Sequence, residues 1–309
     1  MRLIAGFGAR FAGLLFVFLG VTLAIYLLVF ALPGDPIRAL GGDRPLPPNV
    51  VEALREKYNL NAPLWNQYLD YILGLFRGDF GLDFRGRSVS DQMAARWPVT
   101  IALALTAWAI ELMVGIFLGV LAAVKAGTAI DKAVLWSTII FGAVPVFVLA
   151  ATAQLVLGAR LEIFPVAGTE AGWPTAYLLP ALVLAVFGLA AISRLMRDSV
   201  IDNLRADYVR TARVKGLSRR RIVGVHVMRN SMVPAVTYLA TDLGALLGST
   251  IVVEGVFNLP GVGNLLFSAI RTHEGTTIVG VSVALIMIFL ITSLVVDALH
   301  YLLDPRIRR

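Results

Sequence analysis

The sequence predicts an all-α membrane protein that crosses the bilayer six times. Hydrophobic residues make up 58% of the 309 residues, charged residues make up 15%, and the mean hydropathy is +0.80. This balance, together with several apolar runs about as long as a bilayer is thick, is typical of polytopic membrane proteins. We expect helices rather than strands, because each long apolar run must satisfy its own backbone hydrogen bonds in lipid.

Six apolar stretches are long enough, or nearly so, to cross a hydrocarbon core of roughly 30 Å. The first follows a basic start, so a cleaved signal peptide is an alternative. Its apolar run is longer than the core of a signal peptide, however, and no A-x-A site follows it. We therefore interpret it as a retained span. The predicted spans are Phe11–Leu32, Val99–Val124, Ala133–Leu157, Tyr177–Ile192, Val233–Val253 and Ile278–Leu299.

The distribution of basic residues predicts which ends of the chain face the cytoplasm. With both termini inside, the inner segments carry 17 of the 27 Arg and Lys residues, ten of them from Arg194 to Arg229. The short outer loops then carry only Arg160 and Arg271. Positively charged loops stay on the cytoplasmic side, so we predict an N-in, C-in topology. The same rule explains the net charge of +7 without a nucleic-acid partner.

The long segment after the first span has the pattern of two helices outside the membrane. A Pro-Pro pair suits the start of one helix, in which Val51, Leu54 and Tyr58 recur at helical spacing. A second amphipathic stretch follows Pro63. A mere spacer needs no apolar face, so we expect a small helical subdomain. The residues on one face of the second stretch are Leu64, Tyr68, Tyr71, Ile72 and Leu75.

Two pairs of glycines lie four residues apart inside predicted spans: Gly115 with Gly119, and Gly244 with Gly248. Small residues at this spacing allow two helix backbones to approach closely in lipid. We expect them to pack within the bundle, and packing against a partner is the alternative.

The most basic segment joins the fourth and fifth spans and has the pattern of two short helices. Asp202 or Asn203 suits the N-cap of the first helix, Gly216 suits its C-terminus, and Ser218 suits the N-cap of the second. Ala212 and Gly216 would then place small residues at the centre of a basic surface. We interpret this surface as a docking element for a cytoplasmic partner. The alternative is that its arginines only hold lipid headgroups.

Two acidic residues, Glu111 and Asp242, fall inside predicted spans. Ionisable groups at that depth are costly and usually face a cavity, a partner or the interior of a bundle. One interpretation is that the two carboxyl groups line the path of a transported solute and bind its amino group or backbone. A buried hydrogen bond between helices is the other, and the sequence alone leaves both open.

A turn rich in Pro and Gly follows the fifth span, in the stretch "EGVFNLPGVGNLLFSAI". It suits a tight turn before a short re-entrant or surface helix that begins near Asn264. Irregular backbone near a membrane is tolerated where protein or a cavity shelters it. We consider two roles for the turn, an outer gate and a structural cap. The candidate residues are Glu254, Phe257, Pro260, Gly261 and Gly263.

Several chemistries are excluded or disfavoured by what the sequence lacks. It has no cysteine, which excludes disulfides, thiolate metal sites and cysteine nucleophiles, and its three histidines are scattered. No G-x-x-x-x-G-K-[ST] loop is present, so we do not expect this chain to bind ATP by that route. Intramembrane proteolysis is disfavoured because Asp242 and Asp297 lack the flanking residues of aspartyl membrane proteases. We expect no catalytic residue and no metal site.

Several stretches resemble one family along almost the whole chain. "RTARVKGL" resembles the E-A-A-x-x-x-G loop of ATP-binding-cassette (ABC) importer permeases, with Arg210, Thr211 and Ala212 at the E-A-A positions and Gly216 at the glycine. "LPGDP", "LREKYNLNAPLWNQYLDYILGLFRGDFG", "EGVFNLPGVGNLLFSAI" and "DPRIR" resemble the B-type permease of dipeptide and oligopeptide importers. The loop departs from the general pattern at its first two positions and at Arg229, where that pattern has proline.

The resemblance implies the type I ABC importer transmembrane fold and a permease subunit of an ATP-driven importer. With a homologous C-type permease it would form a pathway for dipeptides or oligopeptides that an external substrate-binding protein delivers. Two ATPase subunits would hold ATP and Mg²⁺, so no cofactor is expected in this chain. The membrane would be the bacterial inner membrane. The loop that couples to the ATPases would comprise Asp207, Tyr208, Arg210, Thr211, Ala212, Lys215, Gly216 and Leu217.

The predicted domain organisation has four parts. These are the N-terminus with the first span (1–32), an extracytoplasmic helical segment (33–97), a transmembrane domain (98–303) that includes the coupling loop (194–232), and a cytoplasmic tail (304–309). Relatives of this architecture also carry nickel complexes, glutathione or haem, so the solute stays open. The rival classes are an ATP-independent channel or secondary transporter, which needs no docking loop, and a scaffold protein without solute flux.

Overall fold

The protein is helical through most of the residues that the computed structural model describes, which are 2–31, 47–57 and 61–303. Within these residues the β-structure amounts to one isolated bridge between Leu82 and Ser88. The helices are, in chain order, α1 (Arg2–Phe30), α2 (Pro48–Lys57), α3 (Leu64–Leu75), α4 (Val89–Ile110), α5 (Ile116–Val124), α6 (Ala129–Ala143), α7 (Val146–Ala153), α8 (Thr175–Leu204), α9 (Asp207–Val214), α10 (Met228–Phe257), α11 (Val262–Thr272) and α12 (Gly275–Leu303).

Three further segments are wound as π-helix, in which each backbone hydrogen bond reaches one residue further than in an α-helix. Glu111–Gly115 joins α4 to α5, Gln154–Arg160 follows α7, and Ile222–Val227 precedes α10. A short helical turn, Arg219–Arg221, leads into the last of these. Because such π-turns often occur at functional sites, the side chains that they position are candidates for functional roles.

Some of the sequence predictions fall outside the described residues. They concern the motif "LPGDP", Tyr58, the tail "DPRIR" and the side chains of Leu54 and Asp297.

Five continuous helical stretches in the described chain are long and apolar enough to cross a membrane. They correspond to the first, second, fourth, fifth and sixth predicted spans, which agrees with the expected all-α membrane fold. The stretches are Ala12–Phe30, Val89–Val124, Thr175–Leu204, Arg219–Phe257 and Gly275–Val296.

The third predicted span is not one straight helix. It consists of α6 and α7, which meet at an angle of 101° and together have the length and composition of a sixth span. The break lies at Val144 and Pro145, where Val144 has extended backbone (φ −86°, ψ 128°). Proline lacks an N–H donor and disfavours helical backbone in the residue before it, so the helix ends there.

The fourth and fifth spans continue beyond the apolar runs that predicted them. Helix α8 runs on to Leu204, and the segment from Arg219 continues through a π-turn into α10. The second short cytoplasmic helix that we predicted is therefore the beginning of the fifth span. Hydropathy identifies only the apolar part of a spanning helix. Polar residues can continue the same helix beyond that part, because many of them have good helix propensity.

The chain divides into two compact units. One comprises Met1–Thr100 and Pro260–Ile291, and the other comprises Ile101–Leu259 and Thr292–Arg309. We call them the first unit and the second unit.

In the first unit, α3 packs its apolar face on α1 and α12, as its sequence pattern predicts. Tyr68 of α3 is buried together with Tyr26 of α1 and Val279 and Val283 of α12. The Tyr68 hydroxyl lies 2.9 Å from the hydroxyl of Thr22, which satisfies both polar groups inside the apolar cluster. Tyr71, Ile72 and Leu75 pack around the same cluster.

In the second unit, α8 is the central helix, and α5 packs closely against it through two glycines. A Cβ added at Gly119 would lie 2.6 Å from the carbonyl oxygen of Ser193, and one at Gly115 would lie 3.0 Å from Ile192. This confirms the predicted packing of the Gly115–Gly119 pair. At Gly248 an added Cβ would meet no atom of the described residues within 4 Å, so packing against them does not explain that glycine.

Candidate functional site

Helix α9 is a short helix that follows α8 and precedes α10, with a few turn or coil residues at each of its ends. Gly216 follows it with φ +77°, a left-handed conformation that glycine adopts without strain. The Ser218 hydroxyl then accepts a hydrogen bond from the N–H of Arg221, so both of these predicted helix signals are confirmed. The predicted caps Asp202 and Asn203 are wrong, because both residues lie in the last turn of α8.

The two faces of α9 differ sharply in exposure. Val209 and Ala212 face inward, with 1% and 7% of their surface exposed. Our expectation that Ala212 and Gly216 form one outward surface is wrong, because the helix ends before Gly216 and the i, i+4 relation does not hold between them. The outward face consists instead of Asp207, Arg210, Thr211 and Val214.

The remaining candidate residues of the coupling loop, Tyr208, Lys215 and Leu217, are not part of this outward face. The Tyr208 hydroxyl donates a 2.6 Å hydrogen bond to the Asn203 side-chain oxygen, which ties α9 to the end of α8. Lys215 is exposed, whereas Leu217 packs against the apolar core. Leu217 also donates its N–H to the carbonyl of Ala212, which closes the left-handed turn.

The inward face of α9 belongs to the same apolar cluster as the long helices of the second unit. This cluster joins side chains of α5, α8, α9, the Ile222–Val227 turn and α10. Close-packed interiors transmit strain rather than absorb it, so a displacement of α9 would act directly on α8 and α10. The buried members are Ala123, Ile192, Met196, Val200, Val209, Ala212, Ile222, Val227, Ala235 and Leu239.

An ion pair connects α8 to the start of α6. The Arg197 guanidinium makes two hydrogen bonds to the Asp131 carboxylate, of 2.6 and 2.9 Å, and Asp131 is almost fully buried. Asp131 also accepts the N–H of Gly127 in the turn before α6. This bidentate geometry fixes the turn between α5 and α6 against α8, close to the end of α8 that carries α9.

Glu111 and Asp242 line one pocket of about 190 Å³ in the second unit. Glu111 is fully buried at the start of its π-turn, and Asp242 lies on α10. Neither Glu111 carboxyl oxygen has a hydrogen-bond partner among the described residues, and the same holds for Oδ2 of Asp242. The pocket is completed by Val146, Leu184, Phe187, Gly188, Ala245, Leu246 and Ser249.

Gly188 of α8 makes the position of Glu111 possible. A Cβ added at Gly188 would overlap the Glu111 carboxyl group, so only glycine leaves room for it. Across the same π-turn, the Ser193 hydroxyl donates to the carbonyl of Gly115 at 3.3 Å. The π-turn and the glycine of the neighbouring helix therefore both position the Glu111 side chain.

The candidate gate residues are divided between the two units. In the second unit, Glu254 and Phe257 are buried in the last turns of α10, and the Phe257 carbonyl accepts the N–H of Gly168. In the first unit, Gly261 precedes α11, which begins at Val262, two residues before the predicted start. The Val262 N–H donates to the Thr100 hydroxyl at 2.8 Å.

Pro260 and Gly263 lie on either side of this helix start, with Pro260 exposed and Gly263 buried. The predicted turn followed by a short helix is confirmed as a structure. Its role as a gate or as a cap remains a prediction.

Sequence reasoning missed several residues that position the sites. Val214, at the end of α9, is a large apolar residue that is 84% exposed on a basic surface. An apolar residue within a basic segment is visible in the sequence and could have identified Val214 as a candidate contact residue. The partnership of Gly188 with Glu111 and that of Arg197 with Asp131 join residues more than 60 positions apart in the chain. A single sequence gives no signal for such contacts.

The spanning helices define a multi-pass membrane component. Helix α9 packs on these helices with one face and leaves the other exposed, so a partner protein can contact it. A family model described as "binding-protein-dependent transport system inner membrane component" matches residues 115–309. The model for the N-terminal region of such membrane components matches residues 5–104. The chain belongs to this family, and it is a permease subunit of an ABC importer.

Curated relatives agree along nearly the full chain. The sequence is 32% identical to the dipeptide transport system permease protein DppB of Escherichia coli, over 94% of this chain and 95% of that protein. It is 35% identical to a putative peptide transport system permease protein of Brucella abortus, with the same coverage. It is 32% identical to the oligopeptide transport system permease protein OppB of Haemophilus influenzae, over 94% of each chain.

A solved structure shows the same fold. A chain of the MetNI methionine ABC transporter, in an inward-facing conformation, matches with a TM-score of 0.50 and 18% sequence identity. The match covers 67% of this chain and 95% of that one. The type I ABC importer transmembrane fold that the sequence resemblance implied is therefore confirmed.

Proposed function

We propose that this permease carries dipeptides or oligopeptides across the bacterial inner membrane. The relatives that match along the whole chain are named as dipeptide, oligopeptide or peptide permeases, and this supports the choice of solute. Nickel complexes, glutathione and haem are the alternative solutes for the same architecture. Uptake measurements separate them, because each would compete with a labelled peptide only if it shared the pathway.

In the proposed complex, this chain pairs with a homologous C-type permease and two ABC ATPase subunits. An external substrate-binding protein delivers peptide to the outer side. The chain itself performs no chemistry, and ATP and Mg²⁺ are held by the ATPase subunits. The family description, which names binding-protein-dependent transport, supports the presence of a binding protein.

The observation that carries this proposal is the arrangement of α9. Its outward face is exposed, while Val209 and Ala212 on its inward face are buried in the cluster that holds α8 and α10 together. A partner that pushes on the outward face would therefore move two spanning helices. In the proposed mechanism the ATPases close on ATP, α9 follows them, and the two-state equilibrium of the permease shifts.

The turn formed by Glu254, Phe257, Pro260, Gly261 and Gly263 is proposed to lie at the outer end of the pathway. Support comes from each unit separately: in the second unit the left-handed residue Asn258 ends α10, and in the first unit Gly261 precedes the start of α11 at Val262. Glu254 and Phe257 lie on α10 and would move with it, and α10 also contributes to the cluster around α9.

The coupling role is tested by placing a charge on the outward face of α9. The substitution Val214→Glu adds an anion to a residue that is 84% exposed, so the chain itself should tolerate it. We expect at least a tenfold loss of ATP-driven peptide uptake in vesicles that contain the complete complex, because the ATPase contact is weakened. Co-purification of the ATPase subunits, measured in parallel, should fall as well.

The matched control is Val50→Glu, the same substitution at an exposed valine of α2 in the first unit. It should leave ATPase co-purification unchanged. Uptake that ran normally without any ATPase subunit would contradict the proposed function and favour an ATP-independent channel. A complete absence of solute flux in the reconstituted complex would favour a scaffold.

A further inference from the structure

The pocket beside Glu111 contains carboxyl oxygens that no group of the described protein satisfies. Both oxygens of Glu111 and Oδ2 of Asp242 are buried without a hydrogen-bond partner among the described residues. Glu111 has no exposed surface at all. Buried polar groups are nearly always satisfied, so an unsatisfied pair of acids that lines a pocket requires an explanation.

The lining of the pocket supplies no positive charge to the two acids. None of the nine residues that line the pocket, all of them in the described chain, is basic. Arg194, on α8, donates to the carbonyl of Ala190 at 3.2 Å and makes no ion pair with either acid. The Tyr238 hydroxyl, one helical turn before Asp242, is close enough to interact directly with the Asp242 carboxyl group, and it lies within electrostatic range of Glu111.

Two neighbouring carboxyl groups in an apolar environment do not both ionise cheaply: either one keeps its proton and bonds the other, or a cation lies between them. We infer that Glu111 and Asp242 bind one cationic group of the transported solute, a protonated amine or a guanidinium, and this inference rests on the proposed import function. The cation satisfies the orphaned oxygens through charge-assisted hydrogen bonds and removes the repulsion between the two acids.

The composition of the pocket favours an organic cation over a metal ion. No group of three or more His, Cys, Asp or Glu residues in the described chain is placed to hold a metal. Two carboxyl groups and the Ser249 hydroxyl supply at most five protein oxygens, so a hard divalent cation would have to complete its coordination with water in a mostly apolar pocket. Phe187 contributes an aromatic ring to the wall, and the face of such a ring attracts organic cations.

The size of the pocket indicates that it holds the end of a peptide rather than a whole peptide. Its volume of about 190 Å³ is below the roughly 300–1,000 Å³ of a complete small-molecule site. Ala245 and Ser249, which also line it, are exposed on α10, so the rest of a longer solute can extend outward from there.

Direct binding to the purified complex tests this inference. The complex of permeases and ATPases is placed in lipid nanodiscs without the binding protein, so that the selectivity of the binding protein does not enter. Three probes are compared: trialanine amide, with a charged amino terminus; N-acetyl-trialanine amide, which is neutral; and N-acetyl-Ala-Lys-Ala amide, with a charged side chain only. The dissociation constant of each is measured.

We expect the wild-type complex to bind a cationic probe about tenfold to hundredfold more tightly than the neutral one, as befits a charge-assisted hydrogen bond. Preference for trialanine amide identifies the amino terminus as the bound group, and preference for the lysine probe identifies a side chain. Equal binding of all three probes, or no binding of any, would overturn the inference. This comparison needs no variant.

Two variants locate the site. Glu111→Gln and Asp242→Asn each keep the size of the side chain and remove its charge, so each should abolish the preference for the cationic probe. The control Asp202→Asn removes an exposed carboxylate of α8 outside the pocket and should keep the preference. A preference that survived in both pocket variants would show that the acids serve only as a structural pair, and the inference would be wrong.

Failure of this inference differs from failure of the proposed function. ATP-driven uptake together with equal binding of all probes overturns the inference alone. Absence of any ATP-driven uptake overturns the proposed function.

Discussion

Asp83 fixes the turn that precedes α4, and it does so from a fully buried position. Its carboxylate accepts the N–H groups of Arg85 and Arg87, the Arg87 guanidinium at 2.8 Å, and the Gln92 amide at 3.2 Å. Burial alone would raise the pKa of Asp83, but the hydrogen bonds from Arg87 and Arg85 outweigh it and lower the pKa below its ordinary value of 3.8. The charged form is thus the one that the fold stabilises.

A lowered pKa makes the stability of this turn depend on pH. The contribution of Asp83 should be complete above about pH 5, where the unfolded carboxyl group is almost fully ionised, and it should be lost as the pH falls through the lower folded-state pKa. At neutral pH, Asp83→Asn should reduce the free energy of unfolding by about 1.5–3 kcal/mol. Thermal unfolding of the purified protein at several pH values measures this difference.

The wild type and the Asp83→Asn variant should therefore converge as the pH is lowered below 4. Glu52→Gln, at an exposed carboxylate of α2, is the control and should change little at any pH. A difference between wild type and Asp83→Asn that stayed constant down to the most acidic pH would contradict the assignment.

At the scale of elements, the long helices were predictable and their exact ends were not. Hydropathy located all five continuous spans, and the signals of Gly216 and Ser218 located the end of α9 and the next helix start. The apolar runs could not show that α8 continues to Leu204, because that end is polar and extends past the membrane segment. We predicted one continuous third span across Pro145, although proline is a known helix breaker, and the angle of the break depends on packing.

The packing of α5 on α8 gives a prediction at the same scale. Gly119→Ala would place a methyl group 2.5 Å from Cβ of Met196 and 2.6 Å from a backbone carbonyl, neither of which is the mobile end of a side chain. We expect it to lower the free energy of unfolding by about 1–3 kcal/mol. The matched control is Gly142→Ala in α6, where the added methyl group meets nothing within 4 Å.

Both variants exchange a helical glycine for alanine, so they share the favourable effect of alanine on helix propensity. Only Gly119→Ala adds a clash between helices. Thermal unfolding in detergent compares them, and equal unfolding temperatures would contradict the close approach of α5 and α8.

At the scale of the whole molecule, the candidate sites were less predictable than the fold. The sequence singled out Glu111 and Asp242 one by one, because an acid in an apolar run is conspicuous. That both line one pocket depends on the rotation of α10 and of the π-turn about their axes, which a single sequence does not specify. For α9, the sequence identified the segment but assigned Ala212 to the wrong face.

The topology of the chain depends on the bent pair α6 and α7. If the pair crosses the membrane, the chain has six spans and both termini lie on one side. If it enters and leaves on the same side, only five spans remain, and the basic segment around α9 would lie on the same side as the segment that contains Arg85. Ten basic residues lie between Arg194 and Arg229. Six spans place this segment on the cytoplasmic side, where positively charged loops are usually found, so the charge distribution favours six spans over five.

Single cysteines can decide this question, because the natural chain has none. Four exposed positions are suited to a membrane-impermeant thiol reagent: Arg85, Thr128, Glu170 and Arg213. With six spans, Arg85→Cys and Glu170→Cys should react in intact cells, whereas Thr128→Cys and Arg213→Cys should react only after the membrane is opened. Labelling of Thr128→Cys and Glu170→Cys from the same side would show that α6 and α7 do not span, and labelling of Arg213→Cys in intact cells would place α9 beyond the reach of any cytoplasmic ATPase.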